Sequence, residues 1–344
     1  MKLQTALDTY LPLIEDELRT SLTPPADSAP AFYGMMHYHM GWTDEQFRPV
    51  EVKGGKRVRP LFTLLTSQAA GGCLEKALPA AVAVELIHNF SLIHDDIEDQ
   101  SETRRGRATV WSLWGEAQAI NAGDAMFSLA HLALHRLTQH DLPANRVAIA
   151  LRLLGQTSLS LCYGQHLDLD FESRLDVDTD AYLRMIRGKT AALLGCAGQL
   201  GALVASPDPD LSERYRRVGE SLGLAFQIQD DVLGIWGDSQ LTGKPVADDI
   251  RRRKKSLPVL HVLGRPNDPD AALLRNLYTQ DTLSEQEVAE AVALLDASQA
   301  RTYAEELACQ YLNSALSELE AAKPEEEAGE ALKEMAHFLV RRAY

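Results

Sequence analysis

The sequence predicts an all-α chain. Alanine, leucine and glutamate recur at spacings of three and four throughout, period-two alternation is lacking, and no Asn-Gly hairpin turn occurs. Two segments, Asp210-Leu211-Ser212-Glu213 and Ser284-Glu285-Gln286-Glu287, read as capping boxes, so helices are expected to begin near residues 211 and 285. Breaks fall at Pro24-Pro25 to Pro30, Gly54-Gly55, Gly71-Gly72, Ser206 to Asp210, Gly264 to Pro269 and Lys323-Pro324. None is long enough to serve as a domain linker, so residues 1–344 read as one helical domain, with a motif-bearing core over 30–260 and further helices over 270–344.

At 45% apolar residues the chain can bury a large core. Its 49 acidic and 34 basic side chains give a formal charge of -15, which argues against nucleic acid as a partner because phosphate backbones need a basic surface. The cysteines, Cys73, Cys162, Cys196 and Cys309, are far apart, form no CxxC pair and lack histidines at zinc spacing; buried, reduced thiols are expected. The first residues lack a signal-peptide apolar core, and no later stretch reaches the roughly 18 uncharged apolar residues of a membrane span, so a soluble, cytoplasmic protein is expected.

Between Ala81 and His94 only Glu85, His88, Asn89, Ser91 and His94 interrupt an apolar run, which predicts a core helix with a narrow polar stripe. It ends in Asp95-Asp96-Ile97-Glu98-Asp99. Asp95 and Asp99 share a face four residues apart, and Ser91 and His88 continue that face backwards. These acids repel one another and oppose the helix dipole, so a cation is needed. Hard carboxylate oxygens favour magnesium over zinc or copper. Arg104-Arg105-Gly106-Arg107 follows closely, and guanidinium forks are natural partners of phosphates.

A second apolar run, Gly223 to Ile235, carries Gln227, Asp230 and Asp231 on about one face. The two acidic clusters read as half-cages for divalent metals on facing helices. The second is thinner, because Gly234 stands four residues beyond Asp230 and the next acid is Asp238. Gly243-Lys244-Pro245 and the run Asp248-Asp249-Ile250-Arg251-Arg252-Arg253-Lys254-Lys255 come next; the basic residues are either a solvated surface or counter-charge for phosphates. Lys56 and Arg59 stand where a glycine turn meets a helix start, an arrangement suited to anions although it is not a Walker loop.

Together, Gly55-Lys56-Arg57-Val58-Arg59-Pro60, Asp95 to Asp99 with Arg104-Arg105-Gly106, Gly164-Gln165-Asp168, Lys189-Thr190, Gln227 to Asp231 and Gly243-Lys244 resemble the trans-isoprenyl diphosphate synthases in order and spacing. The resemblance implies an all-α antiparallel bundle around a deep central cavity, a homodimer, and joining of isopentenyl diphosphate to an allylic diphosphate. It implies magnesium, three ions per site with manganese as a substitute. Carried over by position, Lys56, Arg59, His88 and Arg105 hold isopentenyl diphosphate, and Arg104, Lys189, Lys244 and Lys254 hold the allylic diphosphate. Asp95, Asp99 and Asp230 are the main metal ligands, with Asp96, Asp168 and Asp231 close by. Thr190, Gln227 and the Lys189 carbonyl offer dipoles to an allylic cation. Small Ser91 and aromatic Phe90, four and five residues before Asp95, resemble the archaeal type of geranylgeranyl synthase, so a twenty-carbon product with Phe90 as pocket floor is expected. Farnesyl or longer products are alternatives.

A class I terpene cyclase is the nearest rival, but it needs no second diphosphate site and so no Lys56, Arg59 or Arg105. A non-catalytic partner subunit is a further alternative, and the intact first acidic motif speaks against it.

Overall fold

The computed structural model describes residues 2–50, 52, 55–238 and 246–340. Nearly all regular structure among them is helical, as the spacing of apolar residues predicts. The chain forms two compact units: residues 1–158, 196–215 and 322–332 make up unit 1, and residues 159–195, 216–321 and 333–344 make up unit 2.

Unit 1 begins with α1 (Leu3–Ser21), α2 (Pro30–Met40), α3 (Val58–Ala69) and α4 (Leu74–Glu98). α4 is the predicted core helix, buried from Ala80 to Ile87 without interruption and packed against α1, α3 and α6 (Glu116–His135). By length and composition α4 could cross a membrane, yet 72% of its most apolar window is buried within the chain's own fold. Such burial is what a core helix needs, and small alanines let its neighbours approach closely. On α6, Gly123 leaves the space that the His94 ring occupies.

Between α4 and α5 (Val110–Trp114) lies a hairpin that the sequence reading missed: β1 (Thr103–Arg104) pairs antiparallel with β2 (Arg107–Ala108). Its two-residue loop is Arg105-Gly106, with φ of 53° and 74°. Two successive left-handed residues make the hairpin turn that matches strand twist; Gly106 adopts it without cost, whereas arginine is an uncommon first residue there and gives no hairpin signal. Arg107 anchors the hairpin on α2 and the following loop. It donates to the carbonyls of Tyr38 (3.0 Å) and Thr43 (2.7 Å) and lies 3.9 Å over the Tyr38 ring.

In unit 2, the end of α7 (Ala144–Glu172) is followed by α8 (Thr179–Ile186), a π-helical turn over Arg187–Ala191 and the start of α9 (Ala192–Ala205). α10 (Pro209–Trp236) and helices over Leu257–Leu263 and Ala300–Ala321 complete a core containing Tyr182, Ile186, Ile228, Val232, Leu257 and Ala304. α10 starts earlier than expected: Asp208, not Asp210, is the cap, accepting from the Asp210 amide at 2.9 Å, with Pro209 as the first helical residue. The box at Ser284 is present as predicted, with the helix running Glu285–Ala297. A further correction concerns the thiols. All four are free, but Cys73, Cys162 and Cys309 are exposed and only Cys196 is buried.

Candidate active site

Unit 1 gathers a basic pocket at the polar stripe of α4. Arg57 precedes α3 in a left-handed conformation, φ 47°, and is buried. Its guanidinium donates to Glu15 (2.6 Å) and Glu85 (2.8 Å), and the two carboxylates outweigh burial so that its charge is firmly held. Arg57 thus holds the turn that delivers its neighbours, a role for which the carried-over motif gave no sign. Arg59 approaches His88 Nε2 at 3.3 Å. Burial, then the charges of Arg59 and Arg105, hold the His88 imidazole well below its ordinary pKa, so it is neutral and Nε2 accepts from Arg59. Arg105 lies against Gly55, where a Cβ would come within 2.9 Å of the guanidinium. The structure therefore brings Arg59, His88 and Arg105 to the loop that carries Lys56, which is itself exposed.

The acidic end of α4 divides into two kinds of carboxylate. Asp96 is buried and accepts from Arg104 Nε at 2.8 Å; burial raises its pKa, and Arg104 works against that rise. Asp95 is partly buried, and Asp99, the C-terminal cap of α4, is exposed. One turn earlier, Ser91 donates to the His88 carbonyl (2.9 Å), while Phe90 meets the rings of His94 and Phe127 edge-on, each at 5.3 Å.

Unit 2 carries the remaining site residues. The π-turn, closed by the Ala192 amide on the Arg187 carbonyl, presents Lys189 and Thr190. Such turns widen a helix and re-aim its side chains. Gly164 on α7 makes this possible, because a Cβ there would overlap the Lys189 backbone nitrogen. One turn on, Asp168 accepts from Lys189 Nζ at 2.5 Å. Thr190 donates its hydroxyl hydrogen to Gln227 Oε1 at 2.7 Å, and Gln227 Nε2 reaches Asp231 at 3.4 Å.

The second acidic pair repeats the division seen in the first. Asp230 is partly exposed, whereas Asp231 is fully buried and accepts from the Tyr182 hydroxyl, the Leu257 amide (3.2 Å) and Lys254 Nζ (3.3 Å). Burial and the adjacent Asp231 push the Tyr182 hydroxyl well above its ordinary pKa, so it is a lasting donor. Nothing in the sequence pattern singled out Tyr182. At Gly234, the thin point of this cluster, a Cβ would run into the Asp249 carboxylate, which lies 3.8 Å from Lys254. The basic run is neither a bare surface nor one patch. Arg251 pairs with Glu285 (2.7 Å), Arg252 with Asp248 (3.2 Å), Arg253 bonds the Gln280 carbonyl, and Lys255 takes the last carbonyls of α7, at Phe171 (2.8 Å) and Glu172 (2.7 Å). Lys244 lies outside the described residues.

A sequence profile of the family described as polyprenyl synthetase matches residues 42–295. The chain belongs to the polyprenyl synthetase family. It is accordingly a trans-prenyltransferase, in agreement with the resemblance drawn from its motifs. This polyprenyl synthetase is 40% identical over 311 residues, 90% of its length and 85% of the relative's, to a protein of Mycobacterium tuberculosis named (2E,6E)-farnesyl diphosphate synthase. It is also 40% identical over 285 residues, 83% of its length and 80% of the relative's, to a geranylgeranyl diphosphate synthase of the same organism. The crystal structure of a polyprenyl synthetase from Streptomyces coelicolor superposes with a TM-score of 0.90 at 36% identity, covering 98% of this chain and 100% of that one.

The donor set fits the divalent metal that the family implies. Asp95 and Asp99 stand one turn apart at a helix end whose last turn has no basic residue. Among the described residues no three His, Cys, Asp or Glu side chains form a ready metal cage. Magnesium does not ask for one, since it typically binds through one or two carboxylates, waters and substrate phosphates.

Proposed function

We propose that this polyprenyl synthetase condenses isopentenyl diphosphate with an allylic diphosphate, head to tail and with trans geometry, and that its product is geranylgeranyl diphosphate. The observation that carries the reading is the basic pocket of unit 1. Arg59, oriented by a neutral His88, Arg105 against Gly55, and Arg104 held on Asp96 converge beside two accessible carboxylates of α4. Such an array suits a phosphorylated ligand next to a metal-bound one.

In this reading Lys56, Arg59, His88 and Arg105 take isopentenyl diphosphate, while Arg104, Lys189, Lys244 and Lys254 take the allylic diphosphate. Asp95, Asp99, Asp230 and Asp168 would hold magnesium, which when bound supplies positive charge for the departing diphosphate. Asp231 acts as scaffold, because both its oxygens already accept, from Tyr182, Leu257 and Lys254, and Asp96 is buried on Arg104. Breaking of the allylic carbon–oxygen bond leaves an allylic cation, which Thr190 faces with its lone pairs because its hydrogen is committed to Gln227. The isopentenyl double bond closes the new carbon–carbon bond, and the released diphosphate accepts the proton lost from isopentenyl carbon 2. Residues 1–344 act as one synthase domain in the cytoplasm, and exposed Ile120 and Leu132 on α6 support a homodimer.

Small Ser91 beside Phe90 supports the twenty-carbon product. The farnesyl diphosphate synthase relative favours a second reading, in which elongation stops at fifteen carbons. Incubation of isopentenyl diphosphate and magnesium with dimethylallyl, geranyl or farnesyl diphosphate, followed by product chromatography, separates the two. Formation of a cyclic hydrocarbon from an allylic diphosphate alone would overturn both.

A further inference from the structure

Asp231 lies in an acidic motif, yet its surroundings are those of a hydrogen-bond hub. It is fully buried in unit 2, and its Oδ2 accepts from the Tyr182 hydroxyl and, at 3.2 Å, from the Leu257 amide. Its Oδ1 accepts from Lys254 Nζ at 3.3 Å and from Gln227 Nε2 at 3.4 Å. Gln227 stands four residues before Asp231 on α10, the spacing at which two side chains meet on one helix face. The other end of the Gln227 amide, Oε1, takes the Thr190 hydroxyl at 2.7 Å. Tyr182 is also buried, within the apolar core of the unit, and Asp231 is the partner that a buried tyrosine hydroxyl requires.

The directions of these bonds follow from the donor and acceptor chemistry of each group. A carboxylate only accepts, so Asp231 draws the NH2 end of the Gln227 amide. The carbonyl end is thereby turned to Thr190, and the hydroxyl hydrogen points at it. We infer that Tyr182 and Asp231 are positioning residues for the ionisation step: they lock the Gln227 amide in one orientation, which keeps the Thr190 hydrogen away from the allylic cation and its lone pairs toward it. Tyr182 anchors the carboxylate from α8 and the Leu257 amide anchors it from the later helix, so it cannot rotate and release Gln227. Metal ligation through Asp231 would break these bonds, so its part in the motif is orientation.

This inference rests on the reading in which Thr190 and Gln227 face the allylic cation, and the test keeps the two apart. A charge-neutral exchange probes the orientation directly. In Asp231→Asn the remaining oxygen stays with the Tyr182 and Leu257 donors, and an NH2 group faces Gln227, whose amide must turn over. Thr190 then accepts, and its hydrogen faces the cation. In Gln227→Glu two carboxylates meet. With both substitutions the new carboxylate accepts from the new amide and from Thr190, which restores the direction of the hydroxyl. Steady-state kinetics should show kcat lowered about fiftyfold in each single variant, the loss expected for a hydrogen bond to a charged group. The double variant should exceed both by about tenfold. Tyr182→Phe, which keeps the ring and removes the hydroxyl, should lower kcat about tenfold with both KM values within about twofold. Its binding of inorganic diphosphate with magnesium, read by calorimetry, should be unchanged. Single effects that simply multiply in a double variant folded by circular dichroism would overturn the inference, as would an unchanged kcat in Tyr182→Phe. So would an Asp231→Asn enzyme whose rate returns at higher magnesium, the mark of a lost metal ligand. An unsubstituted enzyme that makes no product from allylic and isopentenyl diphosphates would instead overturn the reading of the site itself.

Discussion

Removing Glu85 tests the buried charge relay beneath the pocket. The Arg57–Glu85 pair is 2.8 Å long, and its side chains are only 3% and 5% exposed. Truncating one partner of such a pair typically costs about 3–5 kcal/mol, because the other charge is left buried. Here the lower end applies, since Arg57 keeps Glu15 at 2.6 Å, a carboxylate that is 33% exposed. Glu85→Ala should therefore lose about 3 kcal/mol, roughly a hundredfold in the folding equilibrium. In urea this moves the unfolding midpoint down by about 1 M, read by circular dichroism. Glu85→Gln retains an acceptor and should lose less. Glu285→Ala is the control: it breaks the Arg251–Glu285 pair, in which the glutamate is 76% exposed, and should change stability by about 1 kcal/mol or less. Equal shifts in Glu85→Ala and Glu285→Ala would refute the relay as a source of stability.

The neutral imidazoles give a pH dependence: His39 and His88 stay uncharged when folded but protonate near pH 6.5 when unfolded, so stability is unaffected above about pH 7 and falls with acid. Each should contribute a loss of about 1.4 kcal/mol per pH unit below 6.5, and urea midpoints between pH 7.5 and 5 should flatten in His39→Phe. Gly234→Asp, which supplies the acid missing from the second motif, should lower activity and thermal stability, because its side chain meets the Asp249 carboxylate; a gain in either would show that the two acids coexist. Phe90→Ala removes the ring packed against Phe127 and His94 and should lengthen the product, as read by chromatography of the hydrolysed diphosphates. No product longer than that of the unsubstituted enzyme would count against Phe90 as the floor.

Much of the site was legible along the chain because α4 and α10 are long helices, and helical spacing places residues three and four apart on one face. Periodicity thus predicted α4, its polar stripe and the Gln227–Asp231 face, and motif order indicated the family. Glu85 and Asn89 were visible as interruptions of an apolar run, although their partners were not. What spacing could not do was divide the work among adjacent like residues. Asp95 and Asp96 differ by about a quarter turn of helix, and that rotation sends one outward and the other onto Arg104. Asp230 and Asp231 part in the same way, the second being claimed by Tyr182 from α8 and Leu257 from a later helix.

By itself, then, the sequence determined the helical class and the family, since these follow from local periodicity and short motifs. Only the tertiary structure decided which charges stay exposed and which are spent on one another. A buried charge must find a partner, and that partner comes from wherever the fold brings one: Glu15 to Arg57 across 42 residues, or Asp231 to Lys254 across 23. The hairpin that carries Arg105 depends on such contacts too, through Arg107 on the carbonyls of Tyr38 and Thr43.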